Sequence, residues 1–281
     1  MGNKIIKICL LSLVLMGFSS HGDNQFFAQE TDVRDLIISE DYTFVDGEEI
    51  VYKLFYKMGF IWLSAGEVAF SVKDEGDQFH FSAVGTTYPG YEWFFKVRDY
   101  YDSYVDKETL LPNTSIRDIS EGTYRLYDKV TFDKENNVAT SFRGKSKDKA
   151  VAKEIMVDDY MHDMLSCIYY VRNMNLNSME LGQSFPMNIF LNKKTYKLDI
   201  NYNGKEEGQK IHGLGKFNTI KLSPQLIAGQ VFDEGSVMDI YVSDDGNRIP
   251  LMITSPVSVG SIRAVLKSHS GLKYEMMSET K

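Results

Sequence analysis

Apolar and polar residues alternate along most of this chain from residue 47 onward, as in β-strands that bury one face. At residues 196–202, Tyr, Leu, Ile and Tyr alternate with Lys, Asp and Asn. Turn-forming stretches such as residues 75–78 and 203–208 separate these segments. The pattern predicts strands at residues 50–57, 68–72, 79–85, 98–106, 123–132, 138–143, 185–191, 195–202, 211–222, 237–242, 249–254 and 260–269.

Residues 157–174 have a helical period instead. Apolar residues recur there at spacings of four and three, on one stripe of an α-helix: Val157, Met161, Met164, Ile168 and Val171. Asp158 or Asp159 is placed to cap the first turn. His162 and Asp163 fall on the narrow polar face, where exposure to solvent is expected.

Strands before and after this helix predict a mainly β fold. We expect long antiparallel strands that form an open curled sheet or an incomplete barrel, with the helix as a central lid or plug. The prediction is one domain at residues 45–270. Its sheet halves, 45–145 and 181–270, are expected to form one continuous layer, and residues 29–44 form a flexible lead.

The first residues predict export from the cell. Lys4 and Lys7 precede an apolar run at residues 8–18 that is too short to span a bilayer, which is typical of a signal peptide. We take residues 1–28 as that peptide, with Ser20 as an alternative end. Cys9 lies inside the apolar run, so no lipid anchor is expected there. We therefore predict a soluble periplasmic protein with no transmembrane segment after cleavage.

The net charge and the cysteine content argue against nucleic-acid binding and against a disulfide bond. The net charge of −8 argues against nucleic acid as a partner, because phosphate backbones attract basic surfaces. After removal of the signal peptide only Cys167 remains, so no intramolecular disulfide can form. Cys167 falls on the apolar side of the helix and is interpreted as a buried hydrophobic residue.

No motif assigns a reaction. The chain lacks G-x-S-x-G and H-E-x-x-H, and no two of its histidines have the spacing of metal ligands. We therefore predict no catalytic residues, no metal and no cofactor. The chain is interpreted as a binding protein rather than an enzyme.

Residues 88–104 form the densest aromatic stretch. Most of it is explained as strand core, but Tyr88, Tyr91 and Trp93 are placed to present rings at a sheet rim. Arg98 follows, and we interpret it as half of a structural ion pair with Asp102 or Asp106. The alternative is that Arg98 binds a ligand carboxylate or phosphate.

Several spaced motifs resemble a bacterial exported family, domain of unknown function 3108. They are Gly47-Glu48 with Tyr52, Ala65-Gly66, residues 95–99 (FKVRD) with Asp106 and Leu111-Pro112, Gly215-Lys216-Phe217, residues 241–245 (YVSDD) with Ile249-Pro250, and Gly260-Ser261. The resemblance covers residues 45–267 and carries no catalytic residues. It implies an architecture similar to the open β-barrels of envelope lipid carriers, where a half-barrel holds acyl chains under helices.

Three hypotheses for function follow. The first is a non-catalytic envelope protein that binds a lipid or other apolar molecule in a half-open β cavity. The helix residues that would contact such a ligand are Met161, Met164, Leu165 and Ile168. The second is a protein that binds or processes carbohydrate through the aromatic rim. The third is a structural partner that docks other envelope proteins through an exposed sheet edge.

Overall fold

The structure is a computed structural model that describes residues 41–93, 95–224, 237–257 and 260–280. The predicted signal peptide and residues 29–40 of the predicted lead lie outside the described residues.

All the described strands belong to one sheet in the order β8-β7-β6-β5-β4-β3-β2-β1-β15-β14-β13-β12-β11-β10-β9, with β16 paired to β12. Neighbouring strands are antiparallel, except that β9 is parallel to β10. The bounds are β1 Glu49–Met58, β2 Ile61–Asp74, β3 Gln78–Thr87, β4 Val97–Asp106, β5 Pro112–Glu121, β6 Tyr124–Asp133, β7 Val138–Gly144, β8 Val151–Met156, β9 Met161–His162, β10 Ser184–Leu191, β11 Lys194–Ile211, β12 Gly215–Pro224, β13 Asp239–Ser243, β14 Pro250–Pro256, β15 Ser261–Ser270 and β16 Glu279–Thr280.

Two α-helices accompany the sheet, α1 Pro89–Glu92 and α2 Met164–Asn173. Two short 3-10 helices occur at Lys147–Lys149 and Leu176–Ser178. The sheet curls around α2 but does not close, so the predicted mainly β, open curled architecture with a central helix is confirmed. Because β1 pairs with β15, the two sheet halves form one layer, as predicted.

The alternation in β1 explains which face of the sheet is buried. Ile50, Tyr52 and Leu54 point into the core. Successive side chains of a strand lie on opposite faces, so the intervening Glu49, Val51 and Lys53 remain more exposed.

Four strands were not predicted, and one predicted turn is wrong. β5 is rich in Asn, Thr, Ser and Asp, and β8 exposes nearly every side chain, so neither has a strong apolar alternation. β9 and β16 have only two residues each. Residues 203–208 belong to the long strand β11, which absorbs its turn-forming residues at two irregularities in its register with β12.

The predicted helix at residues 157–174 is wrong at its start, because α2 begins only at Met164. Residues 161 and 162 are extended and pair with Asn188 and Ile189 of β10. Tyr160 just before them has φ +53°, which no helix continues through. The cap is Asp163 rather than Asp158 or Asp159. Periodicity alone could not detect this, since β10 lies far along the chain.

The fold also extends beyond the predicted limits of 45 and 270. Phe44 is buried in the core, and the backbone N–H of Thr43 donates to Asn173 Oδ1 at 2.8 Å. Residues 43 and 44 are therefore not part of a flexible lead. At the other end, Glu279 of β16 pairs with Phe217 of β12.

Helix α2 lies across the strands rather than along them. Its start contacts β4, where Ser103 donates to Asp163, and its end contacts Glu48 just before β1. A ten-residue helix is about 15 Å long, which matches the roughly 14 Å of three inter-strand spacings from β4 to β1. In between, the Tyr169 ring stacks on Phe81 of β3 at 3.9 Å between centroids.

Candidate functional site

A cavity of about 150 Å³ lies between α2 and the inner face of the sheet. Strands β1, β2 and β10–β15 contribute to its wall. Most of the lining side chains are aliphatic or aromatic, for example Ile50, Leu54, Val68, Leu222 and Ile253. The cavity is partly open to solvent.

One face of α2 forms the helical part of the wall. Met164, Cys167, Ile168, Val171 and Arg172 follow the i, i+3, i+4, i+7, i+8 spacing of a single helix face. Ile168 and Val171 are only half-buried although they are apolar and central to the helix. Both residues pack against the hydrophobic core and also line the cavity.

The start of α2 is fixed by a reciprocal cap. The Asp163 carboxylate accepts from the backbone N–H groups of Leu165 at 2.7 Å and Ser166 at 3.0 Å. The Ser166 hydroxyl accepts from the backbone N–H of Asp163 at 3.0 Å, which completes a capping box. Ser103 of β4 donates to the same carboxylate. The helix is thereby fastened to the sheet next to the cavity.

His162 and Asp163 are buried, with only 2% and 5% of their surfaces exposed, so the expected solvent exposure is wrong. His162 belongs to β9 and lies against the Tyr170 ring, and Asp163 follows it as the cap of α2. Burial lowers the pKa of His162 to about 3 and raises the pKa of Asp163 to about 6. At neutral pH His162 is therefore uncharged, whereas Asp163 is still mostly ionised and takes up a proton more readily than an exposed carboxylate.

The end of α2 is fixed by a buried ion pair. Arg172 donates to both oxygens of the Glu48 carboxylate, at 2.6 and 2.9 Å, and to the carbonyl oxygen of Asn247 at 3.1 Å. Burial acts to lower the pKa of Arg172, but the Glu48 carboxylate outweighs it and the pKa is raised. The guanidinium is thus neutralised where it meets the cavity.

A second arginine, Arg248, also lines the cavity and is half-buried. It lies in the turn between β13 and β14 with φ +48°. Its Nη1 donates to the carbonyl oxygen of Met174, just past the end of α2. Burial lowers the pKa of Arg248, against the opposing effect of Asp244. Sequence reasoning missed Arg248, because no motif or period marks it.

The three residues of the predicted aromatic rim lie outside the cavity lining. Trp93 is 84% exposed, Tyr91 is 39% exposed, and the Tyr88 hydroxyl donates to Glu67 at 2.5 Å. Arg98 pairs with Glu92 of α1, not with Asp102 or Asp106, because those two side chains lie further along β4. The structure therefore separates Tyr88, Tyr91, Trp93 and Arg98 from the helix residues predicted beside a ligand.

Of the four predicted helix residues, Met164 and Ile168 line the cavity. Met161 instead packs in a separate small cluster with Val130 and Phe190. Leu165 lines a different, smaller space of about 20 Å³. The late start of α2 explains this, since Met161 belongs to a strand and not to the helix face.

The smaller space adjoins a buried polar network. Arg117 and Arg143 donate to Asp128 at 2.6 and 2.8 Å, and both also donate to Asn192. A space of 20 Å³ holds about one water molecule. We interpret this network as structural, because it joins β5, β6 and β7 to the β10–β11 turn.

Within the described part of the chain, no three His, Cys, Asp or Glu side chains come together as a metal site. Burial raises the pKa of Cys167 to about 12, so its reactive thiolate is not formed at neutral pH. Among the same residues, no helix has the length and apolar character needed to cross a membrane.

The fold and the site together define a class of protein: an open, curled antiparallel sheet that holds an apolar cavity against a central helix. The family described as protein of unknown function (DUF3108) matches residues 51–267, and the chain belongs to that family. The resemblance seen in the sequence motifs is confirmed. A comparison with curated proteins found no match.

Two solved structures are similar to this chain. One is the crystal structure of a beta-barrel-like protein of domain of unknown function DUF1849 from Brucella abortus, with a TM-score of 0.56 and 6% identity. It covers 82% of this chain and 100% of its own, and it shows the shared fold alone. The other is a candidate lipoprotein from Parabacteroides distasonis, with a TM-score of 0.30 and 12% identity over 82% of this chain and 98% of its own.

Proposed function

We propose that this protein is a non-catalytic component of the bacterial envelope that binds an apolar ligand, such as a lipid or an acyl chain, in the central cavity. One observation carries the proposal. The cavity has an almost wholly apolar wall yet is left unfilled by side chains, with about 150 Å³ between α2 and the sheet.

The cost of leaving this space empty supports a role for it. At about 24 cal/mol per Å³, an enclosed cavity of 150 Å³ destabilises a protein by about 4 kcal/mol, which is the upper limit for this partly open one. That is a large part of the stability of an ordinary domain. An apolar ligand would recover these lost contacts, whereas water gains few hydrogen bonds from such a wall.

The shape of the space also favours a chain-like ligand. A closed cavity of this volume would hold a molecule of about the size of benzene. Here the space continues to solvent, so one end of a longer molecule can lie among Leu54, Ile168 and Ile253 while the rest extends outward. Pockets that hold small molecules are typically apolar with a few polar groups, which describes this wall.

A substitution that fills the cavity tests the proposal. In Ile168→Trp the larger ring occupies the space, so the bound fraction should fall at least about tenfold. Ile155→Trp is the matched control, since Ile155 is also half-buried but packs in the separate cluster near Val130. Native mass spectrometry of protein purified from envelopes, followed by lipid extraction, measures the bound fraction.

The expected result is a lipid adduct on the wild-type protein and on Ile155→Trp that is nearly lost in Ile168→Trp. Wild-type protein that carries no adduct, and that also fails to bind an added fluorescent fatty acid, would show that the proposal is wrong.

The other two hypotheses stay predictions. The exposed rings of Tyr91 and Trp93 keep carbohydrate binding open, but the carboxylate between them, Glu92, is already paired with Arg98. β8 is one of the two edge strands of the described sheet and exposes Val151 and Met156, which leaves room for a protein partner at that edge.

A further inference from the structure

The polar groups of the cavity wall are concentrated at one end. Two guanidinium groups, Arg172 and Arg248, line the cavity near the C-terminal end of α2, while the remaining wall is largely apolar. An apolar space with positive groups at one end has the form of a site for an amphiphile.

Arg172 is not available to a ligand. Both of its terminal nitrogens donate to the Glu48 carboxylate, and the same guanidinium also bonds the carbonyl oxygen of Asn247. Its charge is cancelled at short range in a buried site.

Arg248 differs in its partners. Among the described residues, it forms one hydrogen bond, to the carbonyl oxygen of Met174, and no ion pair within 4.0 Å. The neighbouring Asp244 is paired with Lys205 at 2.9 Å, and the Tyr274 hydroxyl donates to Asp41 at 3.0 Å. A guanidinium carries five N–H donors, so Arg248 keeps several donors beside the cavity.

The turn that carries Arg248 is held firmly. The Asn247 side chain donates to the carbonyl oxygen of Tyr274 at 3.0 Å and accepts from the Tyr274 N–H at 2.9 Å. The N–H of Ile249 donates to the Ser243 hydroxyl at 3.0 Å. These bonds keep Arg248 in the left-handed region, φ +48°, where few residues with a Cβ are found. A conformation of this kind that its surroundings impose is often associated with binding sites.

We infer that the cavity binds an amphiphile with one acyl chain and an anionic head group, and that the Arg248 guanidinium binds its carboxylate or phosphate. The inference rests on the proposed function and adds the class of ligand. The planar guanidinium matches both oxyanions through paired N–H···O bonds. Carboxylate and phosphate amphiphiles share this chemistry, while a free anion would lack the chain that contacts the apolar wall.

The test compares ligands that differ only in the head group. Decanoate, decyl phosphate and 1-decanol have the same ten-carbon chain, and inorganic phosphate has no chain. Binding of each is measured by isothermal titration at pH 8 to wild type, to Arg248→Gln and to Arg125→Gln. Arg125 is a matched control, because it is an exposed arginine of β6 that also bonds only carbonyl oxygens.

Wild type and Arg125→Gln should bind decanoate or decyl phosphate at least about tenfold more tightly than 1-decanol. Arg248→Gln should lose this preference and bind 1-decanol unchanged. The preferred anion then identifies the head group as carboxylate or phosphate. Arg248→Lys, which retains the charge, should keep part of the preference and serves in place of Arg248→Gln if that variant does not fold.

Equal binding of the charged ligands and the alcohol by wild type, or an unchanged preference in the folded Arg248 variant, would overturn the inference and leave the proposed function standing. Inorganic phosphate that binds as tightly as decyl phosphate would overturn it too, because the site would then recognise a free anion. If none of the ten-carbon ligands binds wild type, the proposed function itself is wrong and the inference fails with it.

Discussion

Individual residues matter here mainly through charges placed where water cannot reach them. The Glu48–Arg172 pair is fully buried and joins two residues that are 124 positions apart in the chain. Removing one partner of such a pair leaves an uncompensated charge in a region of low dielectric. The pair therefore fixes the end of α2 against the start of β1 more tightly than an exposed pair would.

Glu48→Gln should lower the free energy of unfolding by about 3 to 5 kcal/mol, because Arg172 then stays buried without a counter-charge. Urea denaturation followed by circular dichroism measures the change. Glu49→Gln is the control, since Glu49 is exposed and next in sequence, and its change should stay within about 0.5 kcal/mol. Equal stability of the two variants would contradict this account of the pair.

His162 should make stability depend on pH. The pKa of His162 is about 3 in the fold against 6.5 in the unfolded chain. Below pH 6.5 the unfolded chain therefore binds a proton that the folded protein does not, and the free energy of unfolding decreases as the pH falls toward 3. His162→Gln removes this loss. Relative to wild type, the variant should gain about 2 kcal/mol when the pH is lowered from 7.5 to 5. Urea denaturation at both pH values measures this difference.

Asp163 has the opposite effect on the pH dependence of stability. Its raised pKa of about 6 means that the folded state binds a proton more strongly than the unfolded chain, so this group stabilises the fold as the pH falls. It is present in both proteins, so its effect cancels from the comparison. His269→Gln, a substitution at an exposed position, is the control. A stability difference between His162→Gln and wild type that is the same at pH 7.5 and pH 5 would disprove the prediction.

At the scale of the elements, close contact between β2 and β3 depends on a single glycine. A Cβ on Gly66 would lie 2.2 Å from the carbonyl oxygen of Thr86, far inside van der Waals contact. Gly66 pairs with Thr87, and the register between β1 and β2 shifts beside it. Its place in the Ala65-Gly66 motif thus has a physical reason.

Gly66→Ala should lower the midpoint of thermal unfolding and cost about 2 kcal/mol or more, because β2 and β3 must move apart. Gly90→Ala is the control, since a Cβ there meets nothing within 4 Å and its φ is not positive. Calorimetry of both variants measures the two midpoints. A midpoint for Gly66→Ala that equals that of Gly90→Ala would contradict the close contact.

Helix α2 shows how elements compete for the same residues. The apolar period of residues 157–174 is compatible with a helix throughout, but pairing of Met161 and His162 with β10 satisfies their backbone groups instead. Asp163 and Ser166 then start the helix at Met164. The periodicity correctly located the helix, and a contact between distant segments decided where it begins.

For the whole molecule, the continuity of the open layer depends on the β1–β15 pairing, which joins the two halves of the curled sheet. The cavity exists because α2 spans this curl without filling it. Its wall takes residues from eight strands and from both sheet halves, so no local segment indicates its size. The curl of the whole sheet therefore determines the size of the cavity, and with it the size of a ligand that the cavity can hold.

The sequence by itself determined the strands with clear alternation, the presence of one central helix, the mainly β class and the family. These follow from periodicity and spaced motifs, which can be seen in the sequence without knowing which distant residues are in contact. Only the tertiary structure decided the start of α2, the burial of His162 and Asp163, the cavity and the contrast between Arg172 and Arg248. Each of these depends on which distant residues meet: Glu48 reaches Arg172 across 124 positions, while Arg248 meets no carboxylate among the described residues.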